Sequence, residues 1–492
     1  MNSQAFLIAF TVYVLFLIWL GWAVSRKQKD GDDFLLAGRS LPLLLTMGTT
    51  VATMVGTGSS MGAVGFGYAN GWAGALYGIG GAIGILLTAW WFAPTRNLQF
   101  MTMSEELSYY VGANLAVKNI VGVLIFLACI GWLGAHILGG GMYLAWIADI
   151  DATTAKIVIA VGFSIYVVIG GYSAVVWTDT IQAIILFFGF ILMALFAIDK
   201  VGSWDAMMTA QPAANISFLA IDKVGALHAL SLMMVVAVGV LATPSFRQRI
   251  YSGASVSSVR KSFVMSGGLY LFFSFIPALI GMAAFALNPA LDNRNFAFPF
   301  LALEVLPLYI GIIVLIAGLS ATMSSASSDA IAGVAILLRD IFIIVTGRSP
   351  AKEKMIGYSR IGVVFVTGLA LSFALASDDI ITYITNMIST VMSGMFACGV
   401  LGKFWPRYTW QGAIASLVGA SATSFAVMLT PAAMTALGNP ILPSVSVALL
   451  AGIIVSLMTP RNVVSADEAL TLLAAQRDKT DRQPAGNPAT ES

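Results

Sequence analysis

Thirteen long apolar stretches follow one another along the 492 residues, at 4–24, 41–68, 72–92, 121–146, 157–171, 174–198, 226–243, 263–287, 308–344, 361–376, 380–401, 413–428 and 445–458. At 1.5 Å per residue, each approaches the length of helix that crosses roughly 30 Å of hydrocarbon, allowing for interruption by Gly and Pro. A soluble domain has nowhere to put so many. The chain is 59% hydrophobic and 10% charged, where ordinary soluble domains carry about 25% charged residues, so the apolar excess must face lipid. Long unbroken runs also exclude a β-barrel, whose strands alternate in polarity over about ten residues. A net charge of +2 argues against nucleic acid as a partner. Cys129 and Cys398 both sit inside apolar runs, which leaves no disulfide scaffold and no Cys-rich metal cluster. What remains is an all-α polytopic membrane protein.

The first stretch has no Lys or Arg before it and no cleavage site, and Arg26, Lys27 and Lys29 follow it directly. It therefore reads as a retained helix rather than a signal peptide. With the N-terminus outside, alternating crossings put all of the 25 Lys and Arg in the cytoplasm except Lys156, Lys200, Lys223 and Arg294. That asymmetry predicts a multi-pass protein of the cytoplasmic (inner) membrane, N-terminus out and C-terminus in. After Pro460 the chain turns polar, with Arg477, Lys479 and Arg482, and reads as a short helix followed by disorder.

Two stretches are interrupted at corresponding places. The second carries Gly48, Gly56, Gly58, Gly62, Gly65 and Gly67 around Thr49, Thr50, Thr53, Thr57, Ser59 and Ser60. The seventh ends in Gly239, Thr243 and Pro244. With the first stretch set aside, these are helices 1 and 6 of ten, the first of each of two five-helix halves. Matching interruptions point to a transporter site at the interface of two inverted repeats. Gly also serves close helix packing in membranes, which is the plainer explanation. The division expected is an extra helix and loop over 1–33, repeats over 34–200 and 201–407, two further helices over 408–460 and a tail over 461–492.

The ninth stretch holds Ser320, Thr322, Ser324, Ser325, Ser327, Ser328 and Asp329. At about 100° per residue, Ala321, Ser324, Ser325 and Ser328 share one face. Hydroxyls and freed carbonyls suit a small hard cation, and Na⁺ fits better than a transition metal because no His, Cys or Glu is adjacent. Serines also bond back along their own helix or tie helices together. Acids within a membrane are costly and usually functional; Asp179 and Asp329 stand out, whereas Glu304 and Asp340 lie near helix ends and are expected to face water. His136 lies among Gly134, Gly139, Gly140 and Gly141, where a helix or a ligand can approach closely. His228 is expected at the outer interface.

Several motifs resemble those of the solute:sodium symporter family, which includes proline, pantothenate, sialic acid and galactose transporters. They are Phe34-Leu35-Leu36-Ala37-Gly38-Arg39-Ser40-Leu41-Pro42, the run from Gly170-Gly171-Tyr172 to Trp177-Thr178-Asp179-Thr180-Ile181-Gln182, the pair Gln248-Arg249, and the serine-rich stretch. The resemblance implies a LeuT-type fold with a sodium site between core helices 1 and 8. Its ligands would be the carbonyls of Ala52, Val55 and Ala321 and the hydroxyls of Ser324 and Ser325. It also implies a second sodium site on Asp179, Ser324, Ser327 and Ser328, hence two ions. By position, the solute pocket would take Thr53, Met54, Gly56 and Ser59 from core helix 1, His136 from core helix 3, Leu241 and Thr243 from core helix 6, and Thr385 and Asn386 from core helix 10. Ser59 and Thr385 replace the amide side chains of the sugar-transporter pattern, which argues against a sugar. No Arg is expected at pocket depth.

The expectation is a monomeric secondary transporter in the lipid bilayer, coupling inward Na⁺ flow to uptake of a small organic solute (a carboxylate, amino acid or vitamin-like compound) by alternating access. A proton-coupled transporter using Asp179, Asp329 or His136 is the first alternative. A channel or a transporter-like sensor is the second, without a charged ring or a signalling domain to favour it. No nucleophile–base pair suggests an enzyme.

Overall fold

The computed structural model describes residues 3–26, 31–377 and 379–481, so Lys27, Lys29 and Arg482 lie outside the described residues. Among the described residues there is no β-strand, only an isolated bridge between Leu41 and Gly253. Nine helices there are long and apolar enough to cross a membrane, or ten if the bent pair Phe218–Val224 and Ala226–Ala242 is one span. The apolar stretches number more because some of these helices hold two, and because the seventh stretch, in the bent pair, and the ninth, Leu308–Ile336, are not among the nine. Ala152–Val201 contains both the fifth and the sixth. Its 50 residues would run about 75 Å if straight, far beyond one bilayer crossing. Gly171 divides it, with φ 54° and ψ −155°, a conformation that a side chain would strain.

The first helix, Ser3–Ser25, shows much of its apolar surface to the outside and packs on Ala152–Val201. It reaches inward through Tyr13, whose hydroxyl lies 2.7 Å from Ser320 Oγ and accepts from Gln182 Nε2 at 2.7 Å. The serine-rich helix, Leu308–Ile336, is the axis of the bundle. Every residue from Ala317 to Ile336 is buried, against Ala152–Val201 and Leu115–Ala148. Small residues allow such closeness: a Cβ on Gly281 would stand 2.3 Å from the Val64 carbonyl oxygen of the neighbouring helix.

Both expected interruptions are present, and each is narrower than its glycine content suggests. Leu43–Met54 stops at Val55, where φ is −84° and ψ is 56°. Helix resumes in a wide turn at Gly58–Gly62 and continues as Ala63–Asn70. Two of the freed carbonyls are satisfied locally. Ser59 Oγ donates to Met54 O at 2.5 Å and Ser60 Oγ to Gly56 O at 2.6 Å. In the second interruption a single extended residue, Thr243, separates Ala226–Ala242 from Pro244–Ser252. Pro244 lacks the N–H that would continue the first helix and has the φ that starts the next. Thr243 Oγ1 caps Gly239 O at 2.6 Å.

One further expectation changes, and the short helix expected in the tail is present. Asp340 is buried, not water-facing, and accepts a bond from Ser104 Oγ at 2.7 Å. The tail helix, Ala466–Asp481, docks on the body, where Arg477 reaches Glu105 and Gln476 Nε2 donates to Ala113 O at 3.1 Å.

Candidate functional site

The serine-rich helix crosses the first broken helix where its backbone is released. Ser324 Oγ lies 3.1 Å from Ala52 O and 3.4 Å from Ala321 O. Ser325 Oγ lies 3.1 Å from Thr53 O, 3.3 Å from Ala321 O and 3.4 Å from Ala52 O. Four of the five oxygens expected in the main ion site are thus neighbours, all buried. Val55, the fifth, is the residue at which the helix opens. In an octahedral shell with metal–oxygen distances of about 2.4 Å, adjacent oxygens stand about 3.4 Å apart. The spacing therefore suits a small cation held without fixed charge. Among the described residues, no group of three or more His, Cys, Asp or Glu is arranged for a transition metal.

One turn further along, Ser328 faces Asp179. Asp179 Oδ2 accepts from Thr49 Oγ1 at 2.6 Å and from Ser328 Oγ at 2.9 Å. Ser327 Oγ instead donates to Ser324 O at 2.9 Å. The expectation of no Arg at this depth is overturned. Arg249, fully buried, places Nη2 3.5 Å from Asp179 Oδ2, 2.7 Å from Ser328 Oγ and 2.8 Å from Thr49 Oγ1, and also bonds Thr53. Its Nη1 donates to Ser245 O at 2.7 Å. Asp179 Oδ1 remains buried without a hydrogen-bond partner, an acceptor that a cation could complete. In the sequence Arg249 reads as part of a basic stretch after a helix; only the break at Thr243 turns that stretch back into the core.

The third cluster joins two residues that are 193 positions apart. His136 Nε2 lies 3.2 Å from Asp329 Oδ2, and His136 Nδ1 lies 2.9 Å from Thr57 Oγ1. Trp132 stacks on the imidazole, centroids 6.3 Å apart and planes 14° apart. Beside them is a cavity of about 40 Å³, room for a few waters only. Thr53, Met54, Gly56, Ser59, His136 and Thr243 line it, as do Tyr77, Trp132, Ser245, Phe246 and Asp329, which sequence reading did not assign to a pocket. Leu241 does not line it; the Leu241 carbonyl accepts from Arg247 Nη2 at 3.1 Å. Thr385 lines a different, larger cavity together with Arg294 and His228. Asn386 lines neither, and its Oδ1 is buried without a partner. His228 bonds two carbonyls, of Val224 at 2.9 Å and Thr435 at 3.0 Å.

The cavity is closed off more firmly toward the tail helix than away from it. On the tail side all nine residues of Pro244–Ser252 are buried. Arg247 Nε lies 3.4 Å from Glu106 Oε2, with the guanidinium stacked 3.4 Å from the Phe92 ring centroid. Tyr251 and Tyr110 donate to the same carboxylate at 2.5 and 3.0 Å. Burial alone would raise the adjacent Glu105, but Arg477 and Lys118 outweigh it and hold the carboxyl below its ordinary value. The far side has the half-exposed pair Arg294–Asp379 at 2.9 Å. There too burial is outweighed, by the Thr382 N–H and Arg294, and Asp379 stays below the usual carboxylate range.

Residues 34–419 match the sodium:solute symporter family. The chain belongs to that family. A member of similar sequence is the sodium/glucose cotransporter of Vibrio parahaemolyticus, 25% identical over 476 residues that cover 87% of this chain and 86% of that protein. Among solved structures, this symporter is similar to a Na⁺-coupled sialic acid symporter in a substrate-bound outward-open state, with a TM-score of 0.80 at 20% identity, covering 94% of this chain and 98% of the other. It also resembles Mhp1, a nucleobase-cation-symport-1 family transporter, with a TM-score of 0.62 at 12% identity, covering 91% and 98%. MhsT gives a TM-score of 0.54 at 16% identity, covering 84% and 98%. The LeuT-type fold expected from the motifs is therefore the fold observed. The protein is a multi-pass membrane symporter that uses Na⁺ and takes a small solute, and it is not an enzyme.

Proposed function

We propose that the protein drives uptake of a small organic solute by alternating access, with Na⁺ bound between the first broken helix and the serine-rich helix. The observation that carries this reading is the bridge from Ser324 and Ser325 to the freed backbone at Ala52 and Thr53. A cation there ties the two helices together, and the solute cavity begins at the next residues, Thr53 to Gly56. Loss of the ion on the opposite side would release the bridge and let the buried tail-side elements around Arg247 and Glu106 separate. The 40 Å³ cavity fits a nearly closed stage of that cycle, since a solute needs more room.

A second Na⁺ is proposed at Asp179, Ser324, Ser327 and Ser328, where the unpartnered Asp179 Oδ1 offers a charged ligand. Each charge is worth about 2.3 kcal/mol per 100 mV, so one ion supports roughly 50-fold accumulation from voltage alone and two roughly 2,000-fold. The two-ion reading thus describes a scavenger of dilute solute. Asp179→Asn in proteoliposomes tests it: the ratio of Na⁺ to solute is expected to fall toward one, and an unchanged ratio would count against the second site. Uptake that ignores Na⁺ and follows a pH gradient would favour proton coupling instead. The arrangement is proposed to act as a monomer in the cytoplasmic membrane, N-terminus out, with the tail helix on the cytoplasmic face.

A further inference from the structure

Asp329 is buried, lines the solute cavity and leaves one carboxylate oxygen, Oδ1, without a partner. Its other oxygen faces His136 Nε2 at 3.2 Å, while His136 Nδ1 meets the Thr57 hydroxyl at 2.9 Å. One imidazole proton satisfies both contacts: Nε2–H donates to Asp329 and Nδ1 accepts from Thr57. His136 then orients the carboxylate without neutralising it. The buried Arg249 guanidinium is engaged by Asp179, Thr49 and Ser328. An ionised carboxylate accepts hydrogen bonds and donates none, so what completes Oδ1 must bring an O–H or N–H donor or a positive charge, and of these a positive charge also offsets the cost of burying the carboxylate. A second feature has the same preference. Three aromatic residues, Tyr77, Trp132 and Phe246, line the same small cavity, Trp132 stacked on His136 and Phe246 with the Arg249 guanidinium 5.8 Å from its ring centroid, and aromatic faces attract cations, most strongly where water is excluded.

We propose that the solute carries a protonated amine, and that Asp329, oriented by His136 in a cavity also lined by Tyr77, Trp132 and Phe246, is the group that selects it. This rests on the symporter reading and narrows its solute to amine-bearing compounds, amino acids among them. Inside a membrane, a lone carboxylate is costly and an ammonium offsets that cost directly. A solute bearing only a carboxylate would add repulsion.

The test is thermal stabilisation of the purified full-length protein, with and without Na⁺, by matched pairs: free amino acids and alkylamines against their N-acetyl and deaminated counterparts. At least one free amine is expected to stabilise the protein, and its N-acetyl partner to bind at least tenfold more weakly. Asp329→Asn is expected to weaken the amine at least tenfold with its response to Na⁺ alone unchanged, and Asp329→Glu to recover part of the loss. If Asp329→Asn fails to fold, the pairwise comparison on the wild-type protein decides. The proposal is overturned if no amine binds, if the tightest ligand lacks a basic nitrogen, or if Asp329→Asn weakens Na⁺ rather than the amine. A wild-type protein that binds amines but never responds to Na⁺ would sink the coupling and leave the amine preference standing.

Discussion

Removing the Ser325 hydroxyl separates an ion ligand from an ordinary helix contact. Ser325 Oγ faces the carbonyls of Thr53, Ala321 and Ala52 at 3.1, 3.3 and 3.4 Å, but a hydroxyl has one proton and donates one bond at a time. As a helix tie alone it is worth about 0.5–1.5 kcal/mol. As a ligand to a cation the oxygen is worth about 1.5–3 kcal/mol, the range for hydrogen bonds to charged groups, which is about 10- to 150-fold in Na⁺ affinity. Ser325→Ala should therefore lower thermal stability in the absence of Na⁺ only slightly and shift the Na⁺ midpoint by one to two decades. Ser320→Ala is the control. It removes an equally buried hydroxyl of the same helix, bonded to Tyr13 at 2.7 Å on another face. Na⁺ titrations of melting temperature in detergent, paired with Na⁺-dependent uptake in proteoliposomes, measure both quantities. A Na⁺ midpoint that stays within about threefold in folded Ser325→Ala, or an equal shift in Ser320→Ala, would refute the ion-site reasoning.

Arg247→Met is expected to cost about 3–5 kcal/mol, because Glu106, fully buried, loses its counter-charge; adding Glu106→Gln should recover most of the loss in melting temperature. The tail helix offers a pH dependence. The Glu105 carboxyl is held below its unfolded value by Arg477 and Lys118 against the effect of burial, so the contact stabilises the docked tail above the unfolded carboxylate pKa of about 4.3 and is lost as pH falls through the lower folded value. Hydrogen exchange over Ala466–Asp481 should rise in that acid window, and Arg477→Ala should make it rise at neutral pH already.

The membrane class, both helix interruptions and the serine face are local properties, and they were legible. Apolar length, a Pro after a Thr, and a 3.6-residue period act on neighbouring residues, so one chain segment suffices to read them. The ring of Ser324, Ser325, Ala52 and Ala321 needed in addition the motifs, which told which helix the serines meet. Thr385 and Asn386 were placed at the cavity by helix number alone, and the register of their helix takes them elsewhere.

What the linear order could not supply is which charge meets which. Asp329 had no partner until the packing of Leu115–Ala148 against the serine-rich helix set His136 beside it. Arg249 was legible only as part of a motif after the seventh stretch, until the chain, broken at Thr243, folded its nine-residue helix back into the core against Asp179. Local propensity settles what a segment becomes and which face is polar; the partner across a helix interface depends on rigid-body packing of segments 70 and 193 positions apart, where desolvation penalises every unmatched charge and admits few arrangements.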